Sequence, residues 1–229
     1  MQDLYELYRD HRDEWIEMLY SWIRKSNYRK SSHTYGTEFT TELVGIDDES
    51  VRRYTLRRTP DVYTKLRKLQ LEGFNAYLSV NRYMKKLTKR PDYGSGYWNT
   101  MFIDFDSETD IRLAHDEVWK IASFVNHRCT VVFSGNRGFH LYIVFEKPFS
   151  SVSELRSKTI ELIKNASDEY EYRFKTIDTI ADRSRVAKVP FSVDTRTGLQ
   201  CKVLHDESDM SFEDRSFVPP SRIRINYFK

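Results

Sequence analysis

Met101-Phe102-Ile103-Asp104-Phe105-Asp106 is the stretch on which the fold turns. In an extended strand side chains alternate between faces, so Asp104 and Asp106 share one face while Ile103 and Phe105 point into the protein. Two carboxylates about 7 Å apart along a rigid strand repel each other unless positive charge lies between them. That charge comes either from a divalent metal or from a lysine or arginine. The first alternative makes the chain an enzyme acting on phosphates.

Around this stretch, strand and helix signals alternate. A turn over 91–96 leads into the strand 98–106, and a helix follows over about 111–126. Residues 130–134 and 139–145 read as two strands joined by the glycine-containing loop 135–138, and 152–167 reads as a helix. Shorter strands fall around 185–189 and 199–204. Upstream, Leu4, Leu7, Tyr8, His11, Trp15, Leu19, Trp22 and Ile23 form one apolar stripe of an amphipathic helix over 3–25. A second helix begins at Pro60, runs to about Leu71 and is ended by Gly73, and 75–82 alternates like a strand. There is no internal repeat and no low-complexity tract. Strands interleaved with helices predict an α/β or α+β fold, with the acidic strand and the hairpin near the centre of a sheet.

Composition narrows the class. With 229 residues the chain forms one large domain, or a main domain with a small appendage. A hydrophobic content of 39% and an aromatic content of 14% suffice for a sizeable core and argue against disorder. Mean hydropathy is −0.66, and no apolar run approaches the roughly 20 residues that span a bilayer. The first residues lack the basic and apolar regions of a signal peptide. Cys129 and Cys201 stand alone, without CxxC spacing, so neither a structural zinc nor a disulfide framework is expected. These features predict a soluble, intracellular protein of the cytoplasm or nucleoid, with no membrane partner.

The net charge of +3 conceals a concentration of positive charge. Residues 51–90 hold Arg52, Arg53, Arg57, Arg58, Lys65, Arg67, Lys68, Arg82, Lys85, Lys86, Lys89 and Arg90 against only Asp61 and Glu72. Such a run is either a solvated helical face or a surface for a polyanion, whose phosphates release counterions when neutralised. Tyr77, Tyr83, Tyr93, Tyr97 and Trp98 lie nearby and are candidates either for stacking on bases or for the core.

Two further segments carry chemistry. In Ser134-Gly135-Asn136-Arg137-Gly138-Phe139-His140 the glycines permit a tight turn with exposed N–H groups, beside a hydroxyl, a guanidinium and an imidazole. Together these groups suit an anion, most naturally a phosphate. Taken alone, the turn is an ordinary hairpin. From Ile177-Asp178 onward, Arg185 and Lys188 alternate with apolar residues before Pro190, and the run closes on Thr197-Gly198. By itself this is a basic strand leading into a turn, and Asp178 is available as a third carboxylate.

In order and approximate spacing these three segments, within about residues 98–200, resemble the archaeo-eukaryotic primase superfamily: primase catalytic subunits and primase-polymerases. Asp104 and Asp106 match its DxD motif, and Ser134–His140 matches SGRRGxH with Asn136 in place of the first arginine. The segment from Asp178 matches the hydrophobic-Asp motif followed by RLIRxPxSxHxKTG, with Asp194 where the family usually carries histidine. The resemblance implies a central, mostly antiparallel sheet flanked by helices, with an RRM-like catalytic core of the primase-polymerase type. The domain it implies spans 1–229, with a helical and basic part over 1–97, the catalytic core over 98–206 and an extension over 207–229.

The function implied is template-dependent nucleotidyl transfer that makes or extends primers on single-stranded DNA. Asp104, Asp106 and Asp178 would bind two Mg2+ or Mn2+ ions about 3.5–4 Å apart. Asp178 fits the hydrophobic-Asp pattern and the distance to Pro190, although Asp182 has an acidic counterpart in some members. Ser134, Arg137, His140, Arg185 and Lys188 would bind the nucleotide, assisted by Arg196, and a phosphate beside His140 would raise its pKa and favour the protonated form. Partners implied are template and primer DNA, nucleoside triphosphates, and a primase large subunit, helicase or other replication and repair proteins. Asn136 and Asp194 weaken the nucleotide-binding pattern. They keep open an alternative, a nucleic-acid-binding module or subunit without catalysis. A metal-dependent nuclease also uses clustered carboxylates, but nuclease chemistry does not require the Ser134–His140 loop.

Overall fold

The computed structural model describes residues 39–56, 59–84, 94, 96–180, 182, 185–210, 212–213 and 216–217. The helix expected over 3–25, most of the turn over 91–96, Tyr93, and the basic residues Arg57, Arg58, Lys85, Lys86, Lys89 and Arg90 lie outside the described residues. In chain order come β1 (Phe39–Ile46), β2 (Val51–Leu56), α1 (Thr59–Leu71), β3 (Asn75–Ser79), β4 (Arg82–Met84) and β5 (Gly96–Asp106). They are followed by α2 (Ile111–Phe124), β6 (Thr130–Phe133), β7 (Gly138–Phe149), α3 (Val152–Glu169), β8 (Ile177–Ile180), β9 (Val186–Lys188) and β10 (Lys202–Leu204). A short pair, β11 (Phe212–Glu213) and β12 (Ser216–Phe217), lies near the C-terminus.

Every paired strand is antiparallel. The main sheet runs β10-β6-β7-β5-β4-β1-β3-β9, with β2 added to β1 and β8 added to β5. The fold is therefore mixed α+β, a large antiparallel sheet flanked by helices, and the acidic strand β5 has neighbours on both sides. Within it, β5-α2-β6-β7-α3-β8 forms a β-α-β-β-α-β unit whose strands lie in the order β8-β5-β7-β6. This is the RRM-like arrangement expected of the core.

Alternation along β5 and β7 sorts the side chains onto two faces. Met101, Ile103, Phe105, Phe139, Leu141 and Ile143 pack with Val118, Trp119 and Ile121 of α2 and Leu155 of α3 in one large apolar cluster. The opposite face carries Phe102, Val132 and Tyr142, which meet Val80, Ala187 and Cys201 in a smaller cluster. Asp104, Asp106 and His140 lie on that second face. Both long helices begin with a side-chain cap. Asp110 accepts from the N–H groups of Arg112 and Leu113, and Ser151 accepts from that of Glu154. A third cluster joins Val62, Leu66 and Leu69 of α1 to Leu43, Ala76, Leu78, Val189 and Val193 beneath β1, β3 and β9.

The described part of 1–97 departs from the helical expectation, since it holds four strands and one helix. Thr41, Glu42, Leu43, Val44 and Gly45 of β1 are all buried, on both faces of the strand, so it shows no period of two. Gly45 lets Leu69 of α1 come close, because a Cβ there would lie 2.5 Å from Leu69 Cδ2. The expected strand over 75–82 divides into β3 and β4, and Ile177–Ile180 is a strand that short-range pattern did not reveal. Among the described residues, no helix is long and apolar enough to cross a membrane.

Candidate active site

Asp104 faces His140 across the β5–β7 ladder, and Asp106 faces Gly138. Gly138 is required there by contact rather than by dihedral angle: a Cβ would sit 2.3 Å from the carbonyl oxygen of Phe105. On the other edge of β5, Phe105 pairs with Ile177 and Asp104 with Thr179. Asp178 is thus the extra residue of a β-bulge, the device that re-aims a side chain beside a ladder. Asp178 is exposed, and its negative charge adds to the upward push on the Asp104 carboxyl. Asp182, the other candidate, is half-buried beyond the end of β8.

Burial pushes the Asp104 carboxyl up to about 7; Arg185 opposes the shift, and Asp106 and Asp178 add to it. Arg185 Nη2 lies 3.7 Å from one Asp104 oxygen and His140 Nε2 lies 3.6 Å from the other. The Arg185 guanidinium also stands over the Phe102 ring, 5.4 Å from its centroid. Its Nε and Nη2 are buried and make no hydrogen bond, and the same is true of His140 Nδ1 and Asp106 Oδ1. Burial, then Lys188 and Arg185, push His140 down to about 3, so the imidazole is neutral in this state. The protonated His140 expected from the sequence presupposed a neighbouring phosphate; without one, burial decides.

Arg137 reaches out of the hairpin loop and donates from Nε and Nη2 to the same Asp106 oxygen, at 3.0 and 2.9 Å. Its Nη1 donates to Glu108 at 2.9 Å. Ser134 is half-buried at the base of this loop, where its N–H donates to the Gly138 carbonyl. Gly135 adopts a φ of 81°, and its carbonyl accepts from the Thr197 hydroxyl at 2.6 Å. The turn after β9 is therefore fastened to the loop between β6 and β7.

Lys188 differs most from its expected role. Its ammonium is buried and paired with Asp194, which has no exposed surface. Asp194 also accepts from the N–H groups of Arg196 and Thr197, at 2.9 and 3.1 Å. Burial would raise its pKa, but Lys188 and these donors hold it below the usual carboxylate range. Asp194 therefore shapes the turn and neutralises Lys188. The signal was present in the sequence as an acid six residues from Lys188, where the resemblance led to the expectation of a histidine. Tyr77 lies beneath Lys188, with the ammonium 5.8 Å from its ring centroid, whereas Tyr83 and Trp98 pack edge to face in the core. Part of the basic run is neutralised locally, since Arg52 and Lys68 pair with Glu72, and Arg53 with Glu42.

The donor set of Asp104, Asp106 and Asp178 is all carboxylate oxygen, the chemistry of Mg2+ and Mn2+. Orphaned Asp106 Oδ1 and the raised carboxyl of Asp104 are both what a cation would relieve. As they stand, no three His, Cys, Asp or Glu side chains among the described residues are grouped closely enough to hold a metal ion. Guanidinium groups occupy that space: Arg137 on Asp106 and Arg185 beside Asp104.

No family model matches this chain, and no curated protein matches it. Among solved structures it is similar to the polymerase domain from Mycobacterium tuberculosis ligase D in complex with DNA. That similarity has a TM-score of 0.49 and 11% identity, and covers 85% of this chain and 71% of that one.

Proposed function

We propose that this chain is a template-dependent nucleotidyltransferase of the primase or primase-polymerase type, making or extending primers on single-stranded DNA. One observation carries the reading. Asp104 and Asp106 share a sheet face with His140, Arg137 and Arg185 lie against their carboxylates, and the bulged, exposed Asp178 adds its negative charge to Asp104. Carboxylates for a metal and donors for a triphosphate thus adjoin one another.

Mg2+ or Mn2+ held by Asp104, Asp106 and Asp178 would supply Lewis acidity at a primer 3′-hydroxyl and at the departing pyrophosphate. Arg137 offers a planar fork to phosphate oxygens, and must leave Asp106 to do so. Arg185 contributes the buried N–H groups that make no hydrogen bond, held in place by the Phe102 ring. His140 supplies one neutral ring nitrogen, and Ser134 a hydroxyl at the loop base. The Lys188 ammonium is held by Asp194 and would have to leave it to reach a phosphate. The basic run over 51–90 would guide template and primer.

A labelled single-stranded template, with and without primer, four ribo- or deoxynucleotides and either metal tests the proposal. New or lengthened strands are expected. Degraded template would instead identify a nuclease. A second reading, a non-catalytic DNA-binding module, is favoured by the guanidinium groups on the carboxylates and by the sequestered Lys188. Binding without incorporation, and no metal-stimulated triphosphate binding by calorimetry, would establish it.

A further inference from the structure

We propose that Glu117 is a positioning residue for this carboxylate set: from the interior of α2 it fixes the segment that becomes β8, and so sets where Asp178 stands beside Asp104. The inference rests on the site reading above for its functional meaning, but its geometry is independent of that reading.

Glu117 has no exposed surface. Its carboxylate accepts five hydrogen bonds: from the Tyr172 hydroxyl at 2.8 Å, the Lys175 N–H at 2.8 and 3.1 Å, and the Thr176 N–H and hydroxyl at 2.8 and 2.6 Å. All come from the stretch between the end of α3 and the start of β8. That stretch leaves the helix through Glu171, at a φ of 49°, and has no strand partner until Ile177. The carbonyl of Thr176 in turn accepts from the Asp106 N–H at 2.8 Å. One residue, Thr176, therefore ties the Glu117 carboxylate to the backbone of Asp106, and two residues later the bulge presents Asp178.

A buried carboxylate is an expensive way to close a loop unless several N–H and O–H donors must converge on one point. Glutamine keeps the shape of Glu117 but substitutes an amide NH2, a donor, for one of the accepting oxygens. Glu117→Gln thus removes acceptors without opening a cavity. The same logic explains why Tyr172, donating its hydroxyl proton to Glu117, is pushed up to about 12, with burial first and the Glu117 contact second.

The test compares the full chain with Glu117→Gln and with Thr159→Val. The latter loses an unrelated buried hydrogen bond, Thr159 Oγ1 to the Leu155 carbonyl at 2.8 Å. Backbone amide hydrogen exchange is followed by NMR, and Mn2+ binding by titration. In Glu117→Gln, exchange at Asp106 and over 177–180 is expected to accelerate at least about tenfold while β6 and β7 keep their protection, and Mn2+ affinity is expected to fall about tenfold. Thr159→Val should show neither localised change. Unchanged exchange at Asp106 and β8 in Glu117→Gln, or acceleration spread evenly as in the control, would overturn the proposal. If the unmodified chain itself binds no Mn2+, the nucleotidyltransferase reading fails, while the exchange pattern still decides the role of Glu117.

Discussion

Lys188 and Asp194 meet as an ion pair in the interior, the ammonium on β9 and the carboxylate at the head of the turn that follows. Each charge is tolerable there only because of the other. Removing one member of a buried pair costs about 3–5 kcal/mol, because the remaining charge is left uncompensated. Asp194→Ala should destabilise the chain by that order in urea unfolding. Burial already holds Lys188 below the usual lysine range. In the variant its unfolded state binds more protons than its folded state, so stability should rise with pH as the ammonium is lost. The deficit of Asp194→Ala therefore shrinks in alkaline buffer.

Asp104 and His140 give opposite pH slopes. With Asp104 pushed up to about 7, the folded chain binds more protons than the unfolded chain between roughly pH 4 and 7. This group's contribution to stability falls as pH rises through that window. With His140 pushed down to about 3, the folded chain binds fewer protons between about pH 3 and 6.5, and this contribution rises with pH. Thermal melts should separate them. Relative to the unmodified chain, Asp104→Asn gains stability towards pH 8, by roughly 1–2 kcal/mol after solvent screening. His140→Asn gains towards pH 4. Parallel profiles for all three proteins would contradict both shifts.

Arg137 holds Asp106 in the described state through two N–H groups. If that guanidinium serves the triphosphate, its removal has effects of opposite sign on two ligands. Arg137→Ala should bind Mn2+ several-fold more tightly, since Asp106 is released, while its KM for nucleotide rises. Calorimetry for the metal and steady-state incorporation for the nucleotide measure the two separately. Weakening of both would show that Arg137 orders Asp106 rather than competing for it.

Gly138 admits no side chain, because a Cβ would stand 2.3 Å from the Phe105 carbonyl, at the end of the β5–β7 ladder. Gly138→Ala should cost about 1–3 kcal/mol through a displaced backbone. The loss should appear as a lower Tm together with loss of protection at the Asp106 amide.

Much of the core was legible because its side chains obey local rules. Along 103–106 alternation distinguished the face of Asp104 and Asp106 from that of Ile103 and Phe105, and the structure keeps that division. Gly73, with a φ of 88°, marks the end of α1 as the pattern indicated. Where burial is two-sided or pairing is distant, the signal fails. β1 hides Thr41 and Glu42 inside the protein, so its polar residues masked a strand. Ile177–Ile180 is short, and its bulge at Asp178 is defined only by pairing with β5, more than 70 positions earlier. Glu117 and Thr176 are likewise far apart, by 59 positions, and an acid in a helix reads as solvent-facing until the loop that needs it is in place. Asp194 was visible as an unexpected acid, but its partnership with Lys188 depends on the turn that aims it inward.

In the proposed function Asp104 and Asp106 hold the metal for nucleotidyl transfer. The most direct measurement is incorporation of labelled nucleotide on a primed single-stranded template by Asp104→Ala and Asp106→Ala, with DNA affinity measured on the same preparations. Each variant should lose incorporation by about 10³-fold or more, about 4 kcal/mol of transition-state stabilisation, with DNA affinity largely retained. Incorporation at the unmodified rate by either variant, folded and bound to DNA, would contradict it.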